Sequence, residues 1–201
     1  MIPLIISILG GYFLGNFNLA YILGKAKGFD IRTKGSNNPG ASNATLTMGA
    51  KAGVLVALAD IFKAAIAVII FRLAFDSQLA GTVAGVAAVM GHMYPFWMKF
   101  KGGKGFASFA GMALGMDWRY FLILGAVVVA VILITDYIVL GTVTAVVSYP
   151  IFWGVARQEL AALIIAGVSL IILIKHIPNY VKIAKKQEFK VSKVLWKKNK
   201  K

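Results

Sequence analysis

Cysteine is absent from the 201 residues. That excludes a disulfide framework, a thiol nucleophile and a thiolate metal centre. Acidic side chains are scarce, 7 Asp and Glu against 22 Lys and Arg, for a formal net charge of +15. A balance this basic can signal nucleic acid. Here the basic residues gather at the ends of apolar blocks, and aromatic and basic residues do not form a binding platform, so no nucleic acid is expected. What the chain has in plenty is apolar surface: 59% of its residues are hydrophobic, with a mean hydropathy of +0.79. A soluble domain is nearer half apolar, and one core of this size could not hide the excess. A bilayer can, because it replaces the core as the apolar phase.

The apolar residues fall into blocks at 2–24, 52–74, 79–98, 106–116, 120–135, 137–156 and 160–174. A spanning helix needs about 20 residues, and most blocks come near that. Block 106–116 is short and is expected either to extend back through Gly102 and Gly103 or to be a tilted or re-entrant piece. No positively charged stretch precedes block 2–24 and no small-residue cleavage site follows it, so it reads as the first span rather than a leader. The expectation is an all-α polytopic membrane protein of seven transmembrane helices, with six as the alternative.

Charge favours seven. Lys25, Lys27, Arg32, Lys34 and Lys51 lie after the first block, Lys99, Lys101 and Lys104 after the third, and ten lysines between Lys175 and Lys201. Connections 76–78, 117–119 and 157–159 carry few basic residues. Seven crossings put every lysine-rich segment on one face, which the positive-inside rule makes cytoplasmic. The N-terminus is then outside and the C-terminus cytoplasmic. The expected division is a membrane domain over 1–180 and a basic cytoplasmic tail over 181–201. In the tail, lysines alternate with Phe189, Val191, Val194, Leu195 and Trp196, a pattern suited to an anionic leaflet or to a solvated tail.

Three polar clusters fall on the cytoplasmic face. Gly35-Ser36-Asn37-Asn38-Pro39-Gly40-Ala41-Ser42-Asn43 is dense in glycine, hydroxyl and amide groups, which suits close backbone approach to an anion. His92, Pro95 and Phe100-Lys101-Gly102-Gly103-Lys104-Gly105 lead into an apolar helix. That run resembles a phosphate cradle, with N–H groups and a helix dipole facing the anion and lysine neutralising it. It lacks Walker A spacing. His176, Asn179 and Glu188 follow the last block. His176 and Asn179 would share a face if the helix continued, and Pro178 either disturbs that helix or marks its first turn. Within the spans, Asp60 and Lys63 are three apart, read as an internal ion pair. Asp136 stands at a cytoplasmic helix end, with Thr142 one turn or more further in.

Together these clusters resemble the bacterial acyl-phosphate:glycerol-3-phosphate acyltransferase family (PlsY). Gly35 to Asn43 matches its first motif. Gly91, His92, Pro95 and Phe100 to Ala107 match the second, His176, Asn179 and Glu188 the third, and Asp60 and Lys63 its Asp-x-x-Lys. The resemblance implies seven spans with the N-terminus outside, and transfer of a fatty acyl group from acyl phosphate to the 1-hydroxyl of glycerol 3-phosphate to give lysophosphatidic acid. It implies His176, Asn179 and Ser36 as catalytic residues. Gly35, Ser36, Asn38, Asn43, Lys101, Gly102, Gly103 and Lys104 would bind phosphate. His92, Asp60, Lys63, Thr142 and Glu188 would support them. Acyl phosphate is a mixed anhydride, already activated, so no covalent nucleophile, cofactor or metal is expected. Expected partners are the two substrates, membrane lipids and an enzyme that forms acyl phosphate, at a bacterial plasma membrane.

Several positions depart from the family pattern. Leu46 stands where the family usually has arginine, whose fork would grip phosphate bidentately; Lys34, Lys51 or Lys182 could compensate. Ile177 also replaces a frequent arginine, Val139 and Thr142 replace a serine-rich stretch, and Asn16 and Asn18 replace smaller or turn-forming residues in the first span. Leu46 motivates one alternative, a transferase for another phosphorylated acceptor. A small organic-anion transporter is a second, weakened by the few polar residues in the outer half.

Overall fold

The computed structural model describes residues 1–195. Two compact units, Met1–Trp118 and Arg119–Lys201, divide the chain. Among the described residues all regular structure is helical. The first unit holds α1 (Ile2–Gly15), α2 (Leu19–Ala26), α3 (Ala41–Met48), α4 (Ala50–Ala74), α5 (Gln78–Met93) and α6 (Phe106–Met116). The second holds α7 (Trp118–Thr135) from its second residue on, α8 (Ile138–Val155), α9 (Glu159–Lys175), α10 (Ile177–Ala184) and α11 (Ser192–Leu195).

In the first unit α5 packs against α1, α4 and α6. Small residues permit this. A Cβ on Gly11 or Gly15 of α1 would meet the backbone of Ala84 or Ala88 of α5, and one on Gly111 of α6 would meet the Ile61 backbone of α4. Lipid gives no hydrophobic drive between helices, so close backbone approach over small residues holds them together by dispersion. Large side chains point the other way: Ile5, Phe13, Leu55, Phe62 and Ile66 are exposed on the outer faces. In the second unit α8 packs on α9, while α7 turns Leu122, Ile123, Leu133 and Ile134 outward.

Among the described residues five helical segments are long and apolar enough to cross a bilayer, and the pair α9–α10, bent by 46°, makes a sixth if it is one span. The chain is an all-α multi-pass protein. Three details add to the sequence reading. The first block is broken at 16–18 between α1 and α2. Helix α6 does not extend back through Gly102 and Gly103; it starts at Phe106 and has 11 residues, about 16 Å of rise against a hydrocarbon core of about 30 Å. The tail is not wholly detached, because residues 185–192 fold back within the second unit (below). Trp196 and the last four lysines lie outside the described residues.

Candidate active site

The break in the first span positions two polar loops. Asn18 caps α2, its Oδ1 accepting from Tyr21 N at 2.9 Å, while its Nδ2 donates to Pro39 O at 3.0 Å. Asn16 accepts Phe96 N on Oδ1 at 3.0 Å, and its backbone carbonyl accepts Trp97 Nε1 at 3.0 Å. The two asparagines that interrupt an otherwise apolar span therefore anchor one loop each, and both are buried.

The first loop is pinned from inside by Asn43. Its Oδ1 accepts Ser36 N at 2.8 Å, and its Nδ2 donates to Ile31 O at 3.0 Å and Lys34 O at 2.9 Å. Gly35 makes the turn at φ +61, a region open to glycine and costly for most side chains. Asn43 is fully buried and its amide bonds three loop atoms, so in this structure it shapes the loop. Ser36 is exposed and Asn38 half-buried.

The second loop leaves α5 through a 3-10 turn at Phe96–Met98. Gly102 N donates to Met93 O and Gly103 N to His92 O, both at 3.1 Å. A Cβ on Gly102 would meet the His92 carbonyl, and one on Gly103 the His92 ring. Both N–H groups thus bond carbonyls of α5. The glycines let the loop lie directly on His92. Lys101 is exposed and Lys104 half-buried, the latter just before Gly105, the N-cap of α6. The N–H groups of that first helical turn lack acceptors within the helix, and the dipole there favours an anion.

Beneath the loops Asp60, Lys63 and His92 form a buried cluster. Lys63 Nζ contacts Asp60 Oδ1 at 2.7 Å, Phe17 O at 2.6 Å and His92 Nδ1 at 2.9 Å. His92 Nδ1 also lies 3.2 Å from Asp60 Oδ1, so all three side chains touch one another, and Gly103 packs against the Nε2 edge of the His92 ring. The expected ion pair is present, extended to the span break and to the second loop.

Asp30 and Arg32 were not among the expected site residues. Arg32 Nε and Nη2 bond Asp30 Oδ1 and Oδ2 at 3.0 and 2.7 Å, and Nη1 donates to Met98 O at 2.9 Å. The guanidinium lies 4.7 Å from the Tyr21 ring centroid. The hydrogen bond from Arg32 lowers the Asp30 pKa to about 2. A cavity of 380 Å³ opens here, walled by Arg32, Thr33 and Asn37 of the first loop and Lys99, Lys101 and Gly102 of the second. The sequence signal was available: Asp30-x-Arg32 is a charged pair in a segment otherwise without acids.

In the second unit, α9 ends at His176, which is also the N-cap of α10. Pro178 belongs to the first turn of the new helix, where its missing N–H does no harm. His176 and Asn179 therefore do not share one continuous helix. His176 is buried, and its Nδ1 lies 2.8 Å from Ile172 O. A carbonyl can only accept, so Nδ1 carries the proton and Nε2 the lone pair. Asn179 Nδ2 donates to Glu188 Oε1 at 2.8 Å. Thr142 is buried, with its hydroxyl on Ile138 O at 3.2 Å.

The sequence profile described as glycerol-3-phosphate acyltransferase matches residues 5–186. Glycerol-3-phosphate acyltransferase 1 of Oceanobacillus iheyensis is 35% identical over 202 residues, covering 96% of this chain and 98% of its own. The glycerol-3-phosphate acyltransferase of Staphylococcus saprophyticus is 34% identical, covering 94% and 98%. A crystal structure of PlsY, an integral membrane glycerol 3-phosphate acyltransferase, in the glycerol 3-phosphate form, superposes with a TM-score of 0.88 at 31% identity, covering 96% of this chain and 98% of that one. Its lysophosphatidic acid form superposes with a TM-score of 0.83 at the same identity, covering 93% and 94%.

Proposed function

This chain belongs to the glycerol-3-phosphate acyltransferase family, and we propose that it transfers a fatty acyl group from acyl phosphate to the 1-hydroxyl of glycerol 3-phosphate. It is a multi-pass protein of the bacterial plasma membrane. In this reading the chain crosses seven times, with the N-terminus outside and the two basic loops cytoplasmic, and α6 is the short crossing.

The observation that carries the reading is the basic cavity walled by both polar loops. Each reactant brings a phosphate group to the membrane surface, and only one brings a long apolar chain. Lys101, Lys104 and the exposed Ser36 hydroxyl supply donors for phosphate. The acyl chain stays with the lipid, against the apolar helix faces. The attacking hydroxyl forms the new ester bond at the acyl carbon, the bond from that carbon to the phosphate oxygen breaks, and inorganic phosphate leaves with the electron pair. The hydroxyl proton goes to His176 or to a substrate phosphate; in His176, Nδ1 is already committed to Ile172 O. Asn179 stands one turn away, its amide orientation set by Glu188. An enzyme that forms acyl phosphate must supply the donor, since a mixed anhydride of this kind hydrolyses and cannot be stored.

The test uses purified protein, a long-chain acyl phosphate and glycerol 3-phosphate. Wild type is expected to form lysophosphatidic acid and phosphate. Ser36→Ala and His176→Ala should each be slower by about a hundredfold, the loss typical of a missing general base or transition-state donor. Wild-type product no greater than that of Lys104→Ala would overturn the assignment.

A further inference from the structure

Asp136 lies between α7 and α8 with φ +66. Its Oδ1 accepts Ser192 N at 2.7 Å, its Oδ2 accepts Ser192 Oγ at 2.6 Å, and its backbone carbonyl accepts Val191 N at 3.1 Å. Three bonds from one residue thus tie down a segment 56 positions later in the chain. The other end of that segment is tied as well. Gln187 N and Glu188 N both donate to Lys182 O, at 2.8 and 3.2 Å, at the end of α10. Glu188 sits between the two ties.

Glu188 needs holding. Its Oε1 accepts from Asn179 Nδ2, while its Oε2 is buried with no partner among the described residues. A carboxylate with one oxygen shut away from water and unbonded is disfavoured there by its own solvation. Unrestrained, the segment would let it swing out to solvent. Asn179 would then lose the bond from its Nδ2 to Glu188 Oε1, one of the contacts that set its amide. We propose that Asp136 is a positioning residue for the transfer reaction, holding the 187–192 segment so that Glu188 fixes the orientation of the Asn179 amide. The proposal rests on the acyltransferase reading for its catalytic consequence, and on the two ties alone for its structural one.

Asp136→Gly separates this from a turn effect. Glycine takes φ +66 without strain, so the turn is kept while both side-chain bonds to Ser192 are lost. Hydrogen exchange at 187–192 is expected to quicken, with exchange at 31–43 unchanged. The kcat for lysophosphatidic acid formation should fall about tenfold with little change in KM for glycerol 3-phosphate, and Asp136→Asn, which keeps an acceptor for Ser192 N, should restore most of it. Because Asp136 acts through Glu188, the Asp136→Gly/Glu188→Ala double variant should be no slower than Glu188→Ala alone. Unchanged exchange at 187–192, or losses that multiply in the double variant, would overturn the proposal. A wild-type protein without transferase activity would strike the functional reading instead; the tie would then stand on faster exchange and fall on unchanged exchange.

Discussion

The Arg32 guanidinium donates from Nη1 to the Met98 carbonyl at 2.9 Å while its other nitrogens are clasped by Asp30. The contact joins two loops 66 residues apart in sequence, and these are the loops that wall the basic cavity. Each loop is short and rich in glycine, so neither would keep a fixed shape alone. Asn18 seats one, Asn16 seats the other, and Arg32 locks the first to the second. Arg32 is committed to this duty at all three of its nitrogens.

Arg32→Ala should therefore act on the cavity rather than on net charge. Bonds from a charged donor contribute about 1.5–3 kcal/mol when shielded, and this one, with a side chain 23% exposed, contributes on the order of 1 kcal/mol. Transferase activity is expected to fall by about tenfold through misplaced loops. Arg32→Lys should not restore it, since one ammonium cannot grip Asp30 bidentately and reach Met98 O as well. Full activity in Arg32→Lys, measured as kcat/KM, would remove the fork from the argument.

The same pair makes the loop acid-sensitive. The Asp30 carboxyl is lowered from 3.8 to about 2, chiefly by its hydrogen bond with Arg32. A carboxyl depressed by folding adds stability above its unfolded pKa and loses it as pH falls through the folded one. The window here is from pH 3.8 down to about 2, and the contribution is on the order of 1–2 kcal/mol after allowing for exposure. Hydrogen exchange in residues 28–40 should accelerate across that window in the wild type. Asp30→Asn should exchange faster at neutral pH and show no such step.

Much of this arrangement is legible in the sequence, and the part that is not has a physical reason. Apolar blocks and lysine-rich loops announce a helical membrane protein because bilayer thickness and charge asymmetry act on composition directly. The Asp60–Lys63 spacing marks a pair, since an unpaired charge there would be expensive. What a neighbour does to a residue cannot be read that way. Gly102 and Gly103 look like an anion cradle, yet their N–H groups are taken by the Met93 and His92 carbonyls. Asn43 looks like a phosphate donor, yet three loop atoms occupy its amide. Asn16 and Asn18 look like interruptions, and they are the anchors. Asp136 and Ser192 meet across 56 residues that no local pattern connects.

Lys63→Met should destabilise the first unit strongly. Removing the ammonium leaves Asp60 buried without its cation, and takes a donor from Phe17 O and His92 Nδ1. Breaking a buried pair by one partner costs about 3–5 kcal/mol, whereas replacing both by apolar residues is often neutral. Thermal unfolding in detergent should show a Tm lower by about 10 °C for Lys63→Met, at roughly 2–4 °C for each kcal/mol. The Asp60→Leu/Lys63→Met double variant should recover most of that. Failure to recover would mean that the bonds to Phe17 and His92, rather than charge neutralisation, dominate the cluster.

Lys186→Gly should stabilise the second unit. Helix α10 ends with Lys186 at φ +57, Lys186 N on Ile183 O at 2.9 Å and Gln187 N on Lys182 O at 2.8 Å. These two bonds and the left-handed residue between them make a Schellman ending, whose third element is normally glycine. A lysine there carries Cβ strain of about 1 kcal/mol. Glycine removes it and keeps both bonds, so Tm should rise by about 2–4 °C with transferase activity retained. A lower Tm would show that the exposed Lys186 side chain makes a compensating contact.

Leu46 departs from the family pattern at a position that bears on the acceptor. It stands on α3, just after the first loop, and is 45% exposed, so an arginine can enter without displacing packed neighbours. Lys34 does not replace a fork: it lies over the Phe29 ring at 4.4 Å, and a lysine meets phosphate as a point charge. Leu46→Arg adds a planar donor pair at the edge of the loop. If glycerol 3-phosphate is the natural acceptor, held here by lysines and Ser36 without a guanidinium, the variant should raise kcat/KM for it by about tenfold through a lower KM, the gain of one charge-assisted bond. If the natural acceptor is another phosphorylated alcohol, the same variant should raise glycerol 3-phosphate turnover while lowering turnover of that alcohol. An acceptor profile unchanged in both respects would remove position 46 from the acceptor site and with it the case for a diverged substrate.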